Sequence, residues 1–509
     1  MRLLRAGWND RRIGLGVVAA TAALYGLFAG WWTPRGPITT SEALTTIVLS
    51  LLVGALAGLV SRSRWAMLLA PVMFVAMFEL VRVIVVGPTV DAIHPGSFYG
   101  LVALAVGRGF HGLVALLPMA YGAALGAAIA RRMSGATVAR VRRRFGTYAR
   151  RSASVLVAVG LVALVAAIAR PARTDPILGP DGKPLPGSVA ELTRVEIGGH
   201  DLSMMIRSHS VENPVLLYLA GGPGGTELGA MRRHLQPLEQ DFVVVTFDQR
   251  GAGKSYDQLE PVSTMTLDNA IRDVLEVTRY LRDRFDEERI YLVGQSWGST
   301  LGVLALQQEP DLYRAFVGVG QMVSQRETDL IFYEDTLAWA RKTGDTGLAD
   351  TLDGNGPPPY ASILDYEPAL SHEMDLYPYD HIRNSEGEGQ MSENLFVEEY
   401  SLIDQVHALG AFMDVFTILY PQLQEIDFRV DVPRLDVPVY LVEGGHEAPG
   451  RADLAREWFA KLKAPSKQMV VFDTSGHRPL FEQPDLFQEV MTKTVLAETL
   501  PDAGSRVGT

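Results

Sequence analysis

Leu292-Val293-Gly294-Gln295-Ser296-Trp297-Gly298-Ser299-Thr300 decides how this chain is read. The apolar run Arg289-Ile290-Tyr291-Leu292-Val293 leading into it predicts a short buried strand, and Thr300 to Leu306 predicts a buried helix beyond it. Between them Gly294-Gln295-Ser296-Trp297-Gly298 spells G-x-S-x-G. Strand, sharp turn and helix are the setting in which such a serine is lifted clear of a sheet as a nucleophile. The flanking glycines remove side chains for which so tight a turn has no room. With 49 glycines in 509 residues the pattern can arise by chance. Its meaning therefore rests on whether the chain also supplies a base, an acid and oxyanion donors.

The formal net charge of −12 hides two unlike halves. Residues 1–170 hold 18 arginines, no lysine, and only Asp10, Glu42, Glu79 and Asp91 as acids, a balance of +14 that leaves −26 for the remainder. The arginines cluster at the ends of apolar runs, which argues against nucleic acid as their partner and for a lipid bilayer. The absence of cysteine excludes disulfides, thiol catalysis and zinc–thiolate sites.

The basic half predicts an all-α transmembrane domain of about five helices. Its apolar runs are Ile13 to Trp32, Ala43 to Val60, Trp65 to Val86, Tyr99 to Ala130 and Ala153 to Ala169. A bilayer core of about 30 Å needs roughly 20 helical residues, whereas buried soluble helices give runs of about 10–14. Arg2, Arg5, Arg11 and Arg12 precede the first run, and Arg62 and Arg64 lie between the second and third. Arg131, Arg132, Arg140, Arg142, Arg143, Arg144, Arg150 and Arg151 lie between the fourth and fifth. These three basic segments share one side if each run crosses once, and that side is cytoplasmic. The expectation is an integral, multi-pass membrane protein with its amino terminus inside and its acidic half extracytoplasmic. The fourth run contains Arg108 and His111, so one reading makes Tyr99 to Val106 a re-entrant piece and Leu113 to Ala130 the crossing. Glu79 and Arg82 share a helix face and either pair, snorkel, or mark a functional site.

A Pro/Gly-rich stretch, residues 171–189, reads as a linker. After it strand and helix signals alternate, the mark of an α/β sheet. Predicted strands cover Arg194 to Ile197, Leu202 to Ile206, Val215 to Leu219, Phe242 to Phe247, Ile290 to Val293, Ala315 to Val319, Val437 to Val442 and Met469 to Phe472. The alternation holds over residues 190–323 and 432–498 but fails over residues 324–431, which predict a helical cap above the sheet's carboxyl edge; residues 499–509 form a tail.

A serine needs a base to take its proton, and the base needs an acid to hold its tautomer. On a sheet with this motif the chain order is Ser, acid, His. Of ten histidines only His446 and His477 follow the cap, and His477 sits in the loop after the last strand. The acid belongs after the penultimate strand, where Glu443, Glu447 and Asp453 are candidates. Glu447 is chosen because it lies past the Gly444-Gly445 turn, with room to reach back. Oxyanion donors are expected from the amide of Trp297 and from Gly222, in Ala220-Gly221-Gly222-Pro223-Gly224-Gly225 after an earlier strand. That loop lacks the Lys-Ser/Thr ending of a phosphate cradle.

Gly221-Gly222-Pro223-Gly224-Gly225, Asp248-Gln249-Arg250-Gly251-Ala252-Gly253-Lys254-Ser255 and Gly294-Gln295-Ser296-Trp297-Gly298-Ser299-Thr300-Leu301 occur in this order. Together they make residues 190 to 495 resemble an α/β-hydrolase of the proline iminopeptidase (prolyl aminopeptidase) family. The resemblance implies an α/β-hydrolase sheet with a helical cap, Ser296, Glu447 and His477 as nucleophile, acid and base, and no cofactor or metal. It also implies that Gly221 lies against the substrate and that cap glutamates, here Glu327, Glu398 or Glu399, receive a substrate amino terminus. Ala220 replaces the family's His, Gln295 its Gly, and Glu447 its Asp. The membrane half lies outside the resemblance. The function expected is a membrane-anchored serine hydrolase, an aminopeptidase acting on small peptides through an acyl-enzyme. A carboxylesterase or lipase of the same fold, acting on esters, is the alternative. A non-catalytic binding or transport protein is the alternative of another class.

Overall fold

The computed structural model describes residue 8 and residues 10–134, 144–381, 386 and 394–500. Arg2, Arg5, Arg140, Arg142 and Arg143, and the tail beyond residue 500, lie outside the described residues. The chain divides into two compact units, Met1–Pro171 with Ser401–Gly410, and Ala172–Tyr400 with Ala411–Thr509.

In the first unit all five apolar runs are helical: α1 (Arg11–Trp32), α2 (Thr40–Ser61), α3 (Ala66–Val81), α4 (Phe98–Met133) and α5 (Arg144–Ala169). Thr39 and Glu42 close a capping box at the start of α2, which satisfies amides that the helix itself leaves without partners. The re-entrant reading of the fourth run is corrected. α4 is one helical run of 36 residues, about 54 Å at 1.5 Å per residue. Its backbone widens instead of breaking, into π turns at Ala105–Gly109 and Gly112–Leu116.

α2 and α4 meet through small residues on both partners. A Cβ on Gly54 would stand 2.0 Å from the Met119 carbonyl oxygen, and one on Gly126 would stand 2.0 Å from that of Ala55. Gly58 and Gly122 are equally tight, at 2.1 Å from Ala123 O and 2.2 Å from Leu51 O. Two G-x-x-x-G stripes, Gly54/Gly58 and Gly122/Gly126, thus bring two backbones into contact. The charges of this unit also converge. Arg82 Nε donates to Glu79 at 2.9 Å, Arg108 Nε donates to the same carboxylate at 3.3 Å, and Arg108 Nη2 donates to Val90 O at 2.8 Å. His111 packs edge-on against Phe78, 4.4 Å between ring centres. The pairing reading of Glu79 and Arg82 therefore holds, with Arg108 as a third member.

The second unit carries an eight-stranded sheet of order β1-β2-β4-β3-β5-β6-β7-β8. Its strands are β1 (Val189–Ile197), β2 (His200–Ser208), β3 (Val215–Leu219), β4 (Val243–Phe247), β5 (Ile290–Gln295), β6 (Tyr313–Val319), β7 (Val439–Gly444) and β8 (Lys467–Phe472). β1 and β2 pair antiparallel, β2 meets β4 antiparallel, and the remaining six strands run parallel. β3, β4, β5 and β7 are buried along their whole length, which explains their unbroken apolar runs. The amphipathic helix α6 (Leu267–Phe285) precedes β5, and α7 (Trp297–Gln308) follows it at once.

Between β6 and β7 the chain is helical, with α8 (Gln325–Thr343), α9 (Thr346–Asn355), α10 (Ile363–Leu370) and α11 (Leu402–Leu419). With its 3-10 extension to Leu423, α11 is a sixth helix long and apolar enough to cross a membrane, where the sequence led us to expect about five. The stretch after Pro171 is not a loose tether. Buried Arg207 donates to Thr174 at 2.5 Å and to the Asp175 carbonyl at 2.7 Å, and Leu178 bridges Pro184. A buried guanidinium needs acceptors, and this segment supplies them.

Leucine in place of Gly54 or Gly122 is expected to force α2 and α4 apart and lower the melting temperature of the detergent-solubilised protein by about 5–10 °C. Leucine at Gly160, where nothing lies within 4 Å, serves as the control and leaves melting unchanged.

Candidate active site

Four loops at the carboxyl ends of parallel strands supply the site, the edge where open α/β sheets bind ligands. The loop after β5 is a single residue. Ser296 sits between strand and helix with φ 53° and ψ −119°, a backbone conformation that L side chains rarely adopt. The neighbouring glycines explain why the turn can exist. A Cβ on Gly294 would lie 2.3 Å from Gly298 O, and one on Gly298 would lie 2.1 Å from Leu219 O. The G-x-S-x-G spacing is thus a close approach of β5, α7 and β3 in which a side chain at either glycine would strike backbone.

The loop after β3 lies beside the serine. A Cβ on Gly221 would stand 3.4 Å from the Ser296 Cβ, and the Gly221 amide donates to Glu227 at 3.1 Å. Gly222 follows with φ 132°. The second motif holds this loop in place. Gln249 receives the Trp297 indole N–H at 2.8 Å and donates to Ala220 O at 3.1 Å. Asp248 accepts from Thr226 at 2.6 Å and from the Lys254 amide at 2.8 Å, and Arg250 grips buried Asp273 at 2.7 Å. The three sequence motifs therefore meet as one scaffold around Ser296.

The loops after β7 and β8 bring Glu447 and His477 together, Oε2 to Nδ1 at 2.5 Å. A carboxylate there favours the tautomer with its proton on Nδ1 and leaves the Nε2 lone pair for a base. The pair stands next to the serine turn. Ser296 N donates to Val319 O at 3.0 Å, and a Cβ on the next residue, Gly320, would touch the His477 ring at 3.0 Å. Gln295 Nε2 donates to His477 O at 3.2 Å, so the glutamine that departs from the family pattern ties the turn to the histidine loop. The other two acid candidates lie elsewhere. Glu443 accepts the Gln321 amide at 3.1 Å, and Asp453 pairs with Arg456 at 2.7 Å.

Burial, with Arg451 and Arg478 close by, lowers the His477 imidazole well below its ordinary value and keeps it neutral. Burial raises Glu447, while the Ala448 amide and the Arg451 guanidinium, both bonded to Oε1, favour its anion. Burial and the neighbouring Glu447 raise Glu443 as well.

The cap glutamates singled out in the sequence meet arginines. Glu327 pairs with Arg429, Glu398 with Arg173 at 2.6 Å, and Glu399 with Arg232 at 2.9 Å. Residues that sequence reasoning passed over lie closer to the histidine. Arg478, the next residue, bonds Glu227 and, at 2.7 Å, Glu386. Arg451 Nε donates to Glu447 at 2.7 Å. The i,i+4 spacing of Glu447 and Arg451 was the one legible signal among these. Replacing Ser296 by glycine is expected to relieve the turn. Strain of about 1–3 kcal/mol exceeds the flexibility cost of glycine, so the catalytic unit's melting temperature rises by about 2–4 °C.

Residues 214–484 match the family model described as alpha/beta hydrolase fold. Over 307 residues the chain is 29% identical to a probable aminopeptidase, YbaC, of Bacillus subtilis, covering 60% of this chain and 96% of that protein. It is 32% identical over 124 residues to a probable proline iminopeptidase of Leptolyngbya boryana, covering 24% of this chain and 36% of the relative. The crystal structure of a proline iminopeptidase-related protein from Thermus thermophilus aligns with 62% of this chain and 99% of its own at 21% identity, TM-score 0.45. With more than half of its length inside the family match, this chain belongs to the α/β-hydrolase fold family, and its second unit is a hydrolase related to the prolyl aminopeptidases.

Proposed function

We propose that the protein is a membrane-anchored serine hydrolase that releases amino-terminal residues from peptides through an acyl-enzyme. The observation that carries this reading is the 2.5 Å contact of His477 with Glu447 beside the positive-φ turn of Ser296. In the mechanism Ser296 Oγ attacks the scissile carbonyl while His477 Nε2 takes its proton. Glu447 holds the ring and stabilises the imidazolium. The amides of Trp297 and Gly222 receive the negative charge that develops on the carbonyl oxygen. His477 then returns the proton to the leaving amine, and water, activated by the same imidazole, releases the acyl group.

The aminopeptidase reading draws support from the printed names of the relatives, a probable aminopeptidase and a probable proline iminopeptidase. One observation favours an esterase. The acids available to greet a substrate ammonium are paired with arginines: Glu227 and Glu386 with Arg478, and Glu327, Glu398 and Glu399 with Arg429, Arg173 and Arg232. A panel of aminoacyl amides against simple esters separates the two. Turnover of free-amine aminoacyl amides is expected; turnover of esters alone would make the protein a carboxylesterase. Ser296→Ala is expected to lower kcat by at least about 10³-fold and to abolish fluorophosphonate labelling. Unchanged labelling would overturn the serine mechanism and leave a binding protein.

The proposed topology places the amino terminus and the α2–α3 turn inside and the hydrolase unit outside. It rests on the arginine distribution and on the helices long and apolar enough to cross a membrane. Because the chain lacks cysteine, single cysteines report cleanly. An impermeant maleimide applied to intact cells is expected to label Asp436→Cys and to miss Ser63→Cys until the cells are lysed. The reverse pattern would invert the topology.

A further inference from the structure

The carboxylate of Glu447 is wholly buried, its side chain 0% exposed. A lone carboxylate in such a place would take up a proton, and a protonated acid cannot stabilise an imidazolium. Something must keep it charged and fix its plane. Arg451 lies one helical turn further along α12 (Pro449–Lys461), its side chain 9% exposed. Its Nε donates to Glu447 Oε1 at 2.7 Å, and the Ala448 amide donates to the same oxygen at 2.8 Å. Both donors take Oε1, so Oε2 is left to His477. The guanidinium is held from its far side, where Nη2 pairs with Glu373 of the cap. Half-buried Asp329 on α8 also acts on Arg451, so the insertion contributes two acids to this one cation.

We infer that Arg451 is the positioning residue of the proposed triad: it holds Glu447 ionised and oriented toward His477, and the cap holds Arg451 through Glu373. The inference rests on the triad reading and goes beyond it, because it makes the activity of the triad depend on a cation and on the cap.

A pH profile reads this role. The charges facing the His477–Glu447 pair are Arg451 from α12, Arg478 next to the ring, and Glu482 from the short helix Pro479–Glu482. Glu227 acts on the ring from the loop after β3, and Glu386 reaches it through Arg478. Glu443 faces Glu447 from β7, and the Tyr379 hydroxyl donates to Glu482 at 2.9 Å. His381 lies 3.9 Å from Glu482, and His446 stacks on Tyr379.

Activity requires the pair without an extra proton, and a neighbouring cation opposes that proton wherever in the pair it would settle. With Arg451 present the acid limb of kcat/KM lies below the ordinary histidine value of about 6.5. Arg451→Met removes the cation, so the limb is expected to move upward by about 1 pH unit, with kcat down by about 10–100-fold and KM within about twofold. Arg451→Lys retains charge but not the planar fork. Its limb is expected to return toward wild type while kcat stays at least about fivefold low. A fall in kcat with the limb unmoved in Arg451→Met would overturn the inference, since lost packing alone leaves proton affinity unchanged. Should Arg451→Met fail to fold, Arg451→Lys decides: wild-type kcat overturns the inference. Ser296→Ala run alongside separates the two levels. An active Ser296→Ala enzyme sinks the triad itself; an inactive one with an unmoved Arg451→Met limb sinks only the role of Arg451.

Discussion

The catalytic unit turns on a close backbone approach. β5 ends, Ser296 takes a left-handed conformation, and α7 begins with no residue between. Leu219 at the end of β3 and Gly298 at the start of α7 come so near that a side chain at 298 would fall 2.1 Å from a carbonyl oxygen. That one crossing sets where the serine projects and how near the β3 loop can come to it. The surrounding motif residues serve the same crossing. Gln249 spans from the Trp297 indole to Ala220, and Gln295 spans from the turn to His477. A strained residue persists only where its surroundings over-determine it, and these bridges supply that determination.

The second requirement is electrostatic. Four ionisable groups, Glu443, Glu447, Arg451 and Glu482, are buried within a few residues of the ring. They are tolerable because each has a partner. Glu447 has Arg451 and His477, and Glu482 receives the Gly476 amide at 3.0 Å and the Tyr379 hydroxyl. Glu443 accepts the Gln321 amide, and burial together with Glu447 raises it. The proposed chemistry needs one charged carboxylate beside one neutral imidazole, and this distribution of partners selects that state. It also connects the cap to the proposed chemistry, since Glu373 reaches Glu447 through Arg451.

The helical unit is packed through its smallest residues. Its two G-x-x-x-G stripes bring backbones into contact, and Arg82 and Arg108 converge on Glu79. Two arginines share one carboxylate, and the Val90 carbonyl is a further acceptor for Arg108.

The sequence by itself determined the pieces. All eight strands, the five apolar helices, the helical insertion and the serine turn follow from periodicity, run length and glycine placement, because those depend on neighbours a few residues away. Tertiary structure decided the partners. Glu443, Glu447 and Asp453 are all candidates by position, and the Gly444-Gly445 turn favours Glu447. Glu447 reaches His477, 30 residues on, only because Gly444 and Gly445 turn the chain against Gly476 and Asp473. Arg478 meets Glu227 across 251 residues, a pairing that no local pattern encodes. The stretch after Pro171 has the composition of a linker, yet buried Arg207 draws it in. α11 reads equally well as cap or as membrane span, because apolar length is common to both. Short-range sterics write secondary structure into the chain, whereas ion pairing in a buried site depends on which distant side chains the sheet order delivers to the same edge.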